Sequence, residues 1–252
     1  MPTGSLLAYV TDFVMKAGVK QYRAAICVCN WPKRADDGAL TNWLHSQEKG
    51  YLDSLLSRKS RRSYLLGRYT AKRALDELIN QANIQGALIC PGVFNQPVVK
   101  CLAASNIQVS IAHSGDMGVS VAFPEEVPLG IDVEIIDPTD ANTTQVLESQ
   151  ATDTEKHLID DISPYPDLLT ILWTAKESLS KALRIGLTAS YSIFEVKGIE
   201  IGPGHFTSHF KHFHQYSAMS FNLLNYMCSI AYPNQAEIQL DVQTLRESFR
   251  FR

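Results

Sequence analysis

The sequence predicts an α+β protein of two similar subdomains, residues 1–127 and 128–252. Three observations carry that prediction. Each half opens with an apolar strand, contains one principal helix and finishes in segments that read as paired strands. An acidic stretch bracketed by Pro124 and Pro128 reads as a linker between them. The 252 residues, 45% of them apolar, suffice for a sizeable core in one large domain or two small ones. No residue-level repeat between the halves is visible by eye.

The first clear strand is residues 24–29, an apolar run ended by Asn30-Trp31-Pro32. Between Tyr51 and Gln81 the leucines recur at three- and four-residue intervals, with a break near the Arg58–Arg62 cluster. This predicts two helices in series, the second over residues 62–80. Gly86, Pro91, Gly92 and Pro97 punctuate a loop-rich passage, and residues 109–112 and 118–123 follow as strands joined by His113-Ser114-Gly115-Asp116. In the second half, residues 129–136 alternate as a strand, with Ile131, Val133 and Ile135 on one face and Asp132 and Glu134 on the other. Residues 140–161 are polar and partly helical. Residues 168–183 form a helix closed by Gly186, and residues 191–232 read as antiparallel strands.

A balance of 23 basic against 26 acidic residues, net −3, argues against a nucleic-acid binder, which needs a cationic excess. Cys27, Cys29, Cys90, Cys101 and Cys228 are odd in number and scattered, so they read as reduced thiols. No run approaches the ~20 apolar residues of a membrane span. The charges Asp12, Lys16, Lys20 and Arg23 exclude a signal-peptide core, so the expected location is the cytoplasm; separately, a monomer is expected.

Four constellations bear on chemistry. In Gly130-Ile131-Asp132-Val133-Glu134 two carboxylates share a strand face at roughly 6–7 Å. That is either the polar face of an edge strand or a seat for a hard divalent cation such as Mg²⁺. In Trp173-Thr174-Ala175-Lys176-Glu177-Ser178-Leu179-Ser180-Lys181, Trp173, Glu177 and Lys181 lie four apart on one helical stripe. Glu177 and Lys181 make either an ordinary surface ion pair or a base with a phosphate-binding ammonium. The turn at His113 and Ser114 offers a hydroxyl and backbone N–H groups to an anion. The run Arg58–Arg73 holds seven basic residues in sixteen, which suits a polyphosphate or an acidic protein surface. A zinc site among His205, His209, His212 and His214 is disfavoured, because the interleaved Phe206, Phe210 and Phe213 indicate a strand or loop.

In order and spacing, the turn at His113, Gly-Ile-Asp-Val-Glu at 130–134 and Trp-Thr-Ala-Lys-Glu-Ser-Leu-Ser-Lys-Ala at 173–182 resemble the 4′-phosphopantetheinyl transferase superfamily, in its two-domain, surfactin-synthetase-activator form. The resemblance covers residues 61–232. It implies the phosphopantetheinyl transferase fold, with the two subdomains in a pseudo-twofold arrangement. It also implies transfer of the 4′-phosphopantetheine arm of coenzyme A to a serine of an apo acyl or peptidyl carrier protein, with Mg²⁺ bound and 3′,5′-ADP released. By position, Asp132, Glu134 and Glu177 match the metal ligands, and Glu177 also matches the residue proposed as base. Lys181 matches the lysine on the phosphate, and His113, beside Ser114, the histidine on the pyrophosphate. Arg68 looks like an arginine used on the 3′-phosphate, and Gln96-Pro97 stand where a Gly-Lys-Pro loop normally meets the nucleotide. The departures are Ala112, where a phosphate-touching serine is usual, and Gln96, which loses a charge. Lys33, Arg34 or Lys72 are candidates to compensate. The rival functions are a non-catalytic coenzyme A or carrier-binding homologue and a metal-dependent phosphohydrolase. Whether the carrier serves fatty acid, polyketide or nonribosomal peptide synthesis is open.

Overall fold

A computed structural model describes residues 6–32, 37–80, 84–100, 106–137, 139–162, 167–186 and 189–250. Cys101, Lys33 and Arg34 lie outside these. The protein is α+β and divides into two compact units, residues 1–128 with 238–240, and residues 129–237 with 241–252. No helix among the described residues is long and apolar enough to cross a membrane.

The first unit is a five-stranded sheet against a long helix. Strands β1 (Leu7–Ala17), β2 (Lys20–Asn30), β5 (Ile107–Ser114) and β6 (Met117–Pro124), with the short β12 (Glu237–Gln239), run in the order β12-β1-β2-β6-β5, antiparallel through β1, β2, β6 and β5. β2 extends the strand expected at 24–29, while β1 was not expected. Its burial is mostly intermediate and follows no strict alternation, so it gives little periodic signal.

Two short helices, α1 (Gly38–Thr41) and α2 (Ser46–Ser54), precede α3 (Arg58–Ile79). The break falls at residues 55–57, before the basic cluster rather than within it. Ser57 takes an extended backbone and its Oγ accepts the Ser60 N–H, so α3 begins at Arg58. The helix packs Leu65, Leu66, Tyr69, Ala71, Ala74 and Leu75 onto the sheet. The loop-rich passage contains a hairpin, β3 (Leu88–Pro91) with β4 (Pro97–Lys100), and its turn needs the left-handed Asn95, φ 61°.

The second unit repeats the plan with β7 (Gly130–Ile135), β8 (Val196–Gly202), β9 (His205–Phe210), β10 (Tyr216–Leu223) and β11 (Tyr226–Pro233) in the order β7-β11-β10-β9-β8. Helices α4 (Ala141–Gln150) and α5 (Asp153–Ile162) precede α6 (Leu168–Ala182), and α7 (Val242–Arg250) follows β12. Past α6 the first left-handed residue is Arg184, φ 58°, with Gly186 following at 54°. The expected cap at Gly186 is therefore preceded by a non-glycine one.

A repeat missed by eye becomes visible in contacts. Tyr69-Thr70-Ala71-Lys72 in α3 and Trp173-Thr174-Ala175-Lys176 in α6 occupy matching places. Thr70 Oγ1 meets Ser120 Oγ of β6 at 2.7 Å, and Thr174 Oγ1 meets Ser229 Oγ of β11 at 2.7 Å. Buried Lys72 pairs with buried Glu48 at 3.0 Å, and buried Lys176 with buried Glu155 at 2.5 Å. Glu48 accepts the N–H groups of His45 and Ile89, capping α2 and holding β3. Glu155 accepts those of Thr152 and Val196, doing the same for α5 and β8. Only three identical residues in four mark the repeat in sequence, too few to register as a period.

Candidate active site

The strand β7 and the helix α6 bring the second unit's candidates together. Gly130 lets them approach: a Cβ there would stand 1.9 Å from the Ser178 carbonyl oxygen. That contact puts Asp132, two residues on, under the helix. Asp132 is 5% exposed, so the reading of its face as a polar outer surface fails there, while Glu134 is half-buried. Ile131 and Val133, on the other face, are buried as well.

Lys181, one turn after Glu177, donates from Nζ to Asp132 Oδ1 at 2.7 Å. The α6 ammonium is thus claimed by the strand carboxylate, in place of the simple helix-surface pair with Glu177. Burial still raises the Asp132 carboxyl above its usual range, outweighing the ammonium that lowers it. Glu177 is pushed up to about 7, first by burial, then by the negative charge of Asp132, against Lys181, with Glu134 raising it further. Glu177 thus feels the charges of both other carboxylates, with the Lys181 ammonium set against Asp132 and Glu177 in a half-buried place.

Two of their oxygens, Asp132 Oδ2 and Glu177 Oε1, are buried and accept no hydrogen bond from the described residues. Buried carboxylate oxygens lacking donors are the hard ligands a divalent cation takes, so the donor chemistry fits Mg²⁺. Among the described residues no group of three or more His, Cys, Asp or Glu side chains is gathered as a preformed metal cage. The fit therefore rests on Asp132 and Glu177, with Glu134 beside them.

Around this centre, Trp173 stacks on Tyr191 with ring centroids 4.9 Å apart and planes at 12°. Trp173 also lines a cavity of about 330 Å³ with Glu134, Asn142, Val146, Leu147 and Thr170. Sequence reasoning missed Tyr191 and Val146, and it quoted Gly130 without its packing role. Only Gly130, ahead of the paired carboxylates, left a trace, as the small residue a close helix requires.

The first unit holds the remaining candidates. His113 and Ser114 sit at the end of β5 rather than in the loop, and His113 is exposed opposite Gly118. The loop is only Gly115-Asp116, with Gly115 at φ 56°. Ala112 is buried at 5%. Gln96 turns back on its own hairpin, where its Oε1 accepts the Phe94 N–H at 2.9 Å, and Pro97 pairs with Pro91. Arg68 lies 3.7 Å from Glu48 and over the Tyr64 ring at 4.7 Å, lining a cavity of about 480 Å³ with Gln47, Leu88, Cys90 and Asn95.

The basic run is largely spent on the fold. Lys72, a candidate to compensate for Gln96, is fully buried on Glu48 and donates to the Ala87 carbonyl, so it cannot reach a ligand from there. Arg61 pairs with Asp53, Arg62 with Asp116, and Arg73 lies over Trp43 and Tyr69. Arg58 and Lys59 are exposed.

Strand register shows why only one unit carries the acids. Ser120 of β6 pairs with Cys27, and Ser229 of β11 with Asp132. Two residues along each strand, Cys29 stands where the other unit has Glu134. After the repeated lysine, Arg73 stands where the other has Glu177. Burial raises the Cys27 thiol to about 12, so it is a neutral core group and no cation ligand.

No curated protein matches the chain in sequence. A family model does match, over residues 128–231, and the span includes β7 with Asp132 and Glu134 and α6 with Glu177 and Lys181. The model the chain matches over residues 128–231 is that of the 4′-phosphopantetheinyl transferase superfamily, and this stretch is similar to that family.

Proposed function

We propose that the protein transfers the 4′-phosphopantetheine arm of coenzyme A to a serine of an apo acyl or peptidyl carrier protein, releasing 3′,5′-ADP. The observation that supports this most is the pair of donor-free buried oxygens on Asp132 and Glu177 within the stretch similar to the superfamily. In this reading Asp132 and Glu177, with Glu134 beside them, hold Mg²⁺, which neutralises pyrophosphate charge when bound. Glu177 accepts the serine proton. It is the carboxylate of α6 one turn before Lys181, and its half-buried place beside Asp132 and Glu134 suits a proton acceptor. The serine oxygen bonds to the phosphorus bearing the pantetheine, and the bond to the bridging oxygen breaks, leaving the electron pair on 3′,5′-ADP. Lys181, relayed from Asp132 to a phosphate oxygen, offsets charge in the transition state. His113, Ser114, Arg68, Gln96 and Pro97 are the proposed coenzyme A contacts of the first unit. Gln96 contributes its backbone there, since its side chain is already engaged.

Incubation with coenzyme A, Mg²⁺ and several apo carrier domains, read by intact mass, tests this. The expected gain on the carrier is about 340 Da, the mass of the transferred arm. Binding of coenzyme A without any gain would identify a binding module, and release of phosphate without carrier a phosphohydrolase.

A further inference from the structure

The β5–β6 turn is held from below by α3, through residues that carry no role in the transfer itself. Arg62 and Leu66 lie one helical turn apart on the same stripe of α3. Leu66 fills the space over Gly118, where a Cβ would come within 2.5 Å of its Cγ, and Gly118 is the cross-strand neighbour of His113. Arg62 reaches Asp116, at the tip of the turn, with Nη2 3.3 Å from Oδ1. The same guanidinium lies 4.0 Å over the ring of Trp31, which is fully buried, and the Trp31 backbone N–H donates to the Asp116 carbonyl at 2.8 Å.

Asp116 is thus gripped twice, by its carbonyl and its carboxylate, and Arg62 is fixed by an aromatic plate as well as by charge. A planar guanidinium so seated loses little further freedom on pairing. Arg62 is only 18% exposed and Asp116 32%, which limits solvent screening. A two-residue loop transmits the hold directly: His113 and Ser114 immediately precede Gly115-Asp116 on β5.

We propose that the Arg62–Asp116 pair, seated on Trp31, is a positioning device that fixes the end of β5 so that His113 and Ser114 meet the pyrophosphate of coenzyme A. The proposal rests on the transferase reading, in which that histidine takes the pyrophosphate. Neither Arg62 nor Asp116 touches the substrate. Both act through the hairpin.

Arg62→Gln, Asp116→Asn and the double variant test it by two readouts. The first is the coenzyme A dissociation constant, by calorimetry. The second is the imidazole resonance of His113 in the ligand-free protein by NMR, assigned by its loss in His113→Gln. The backbone bond between Trp31 and Asp116 survives these changes, so circular dichroism should match wild type. Each single variant is expected to weaken coenzyme A binding about fivefold, and the double no more than the weaker single, because one interaction is lost in all three. The His113 resonance should shift or broaden alike in both singles while those of His205 and His212 stay put. Losses that multiply in the double variant, or an unchanged His113 resonance, would overturn the proposal. If wild type fails to bind coenzyme A, the transferase reading falls, and the His113 resonance alone decides whether the pair holds the turn.

Discussion

Glu177 is the residue whose environment departs furthest from what its neighbours in sequence suggest. Beside Lys181 on a helix it reads as half of a surface pair, yet burial and the charges of Asp132 and Glu134 raise it to about 7. The sign of the consequence follows. Unfolded, a glutamate is ionised above about 4.5, whereas Glu177 in the fold keeps its proton up to about 7, so raising the pH between these values favours the unfolded chain. The metal-free protein should lose stability across that window and level off above it, and Glu177→Gln should remove much of the loss. The gain expected in the variant at pH 8 is about 1–3 kcal/mol, the lower part allowing for the side chain's partial exposure. Denaturant titrations of both proteins at pH 5 and pH 8 check it: a variant no more stable at pH 8 would place Glu177 in water. Mg²⁺ should restore wild type at pH 8 and leave Glu177→Gln unmoved.

At the level of elements, the contact of β7 with α6 and the buried lysine–glutamate pairs set the geometry. Gly130→Ala puts a methyl into the α6 backbone, so it should destabilise the protein by at least about 2 kcal/mol and lower transfer even in the folded fraction. Stability and activity like wild type would mean that β7 does not press on the helix. Glu155→Gln strands the Lys176 ammonium in the core and should cost about 3–5 kcal/mol, as should Glu48→Gln with Lys72. Thermal unfolding of either within 1–2 °C of wild type would contradict this.

These elements also show what the sequence made legible. The α6 motif and the β7 alternation were readable, because helical and strand periods each set one side-chain face. The break before α3 was misplaced, since it depends on the Ser57 cap and not on charge. The hairpin β3–β4 was hidden because four-residue strands are too short to show a period. The pairing of Lys181 with Asp132 joins residues 49 apart, and no local spacing encodes it.

For the whole molecule, a net charge of −3 conceals an uneven distribution. Of the basic run, Arg58 and Lys59 are the exposed members that open α3, next to the fully exposed Leu56, and an acidic carrier would find charge and an apolar contact there. The double variant Arg58→Glu with Lys59→Glu should raise KM for the carrier several-fold, more at low salt, and leave KM for coenzyme A unchanged. An unchanged KM for the carrier at low salt would put docking elsewhere. Composition and motif order sufficed to read an α+β chain with a transferase-like second half. The spending of Arg61, Arg62, Lys72 and Arg73 on internal partners was not readable, because burial is a property of the folded surface.

The most direct test compares transfer by wild type, Asp132→Ala and Glu177→Ala under one set of conditions, with coenzyme A, Mg²⁺ and an apo carrier, by intact mass of the carrier. The account predicts the mass gain with wild type and a fall of about a thousandfold or more in each variant, with both still folded by circular dichroism. Transfer by either variant at a rate near wild type would contradict the assignment of these two carboxylates as the active centre.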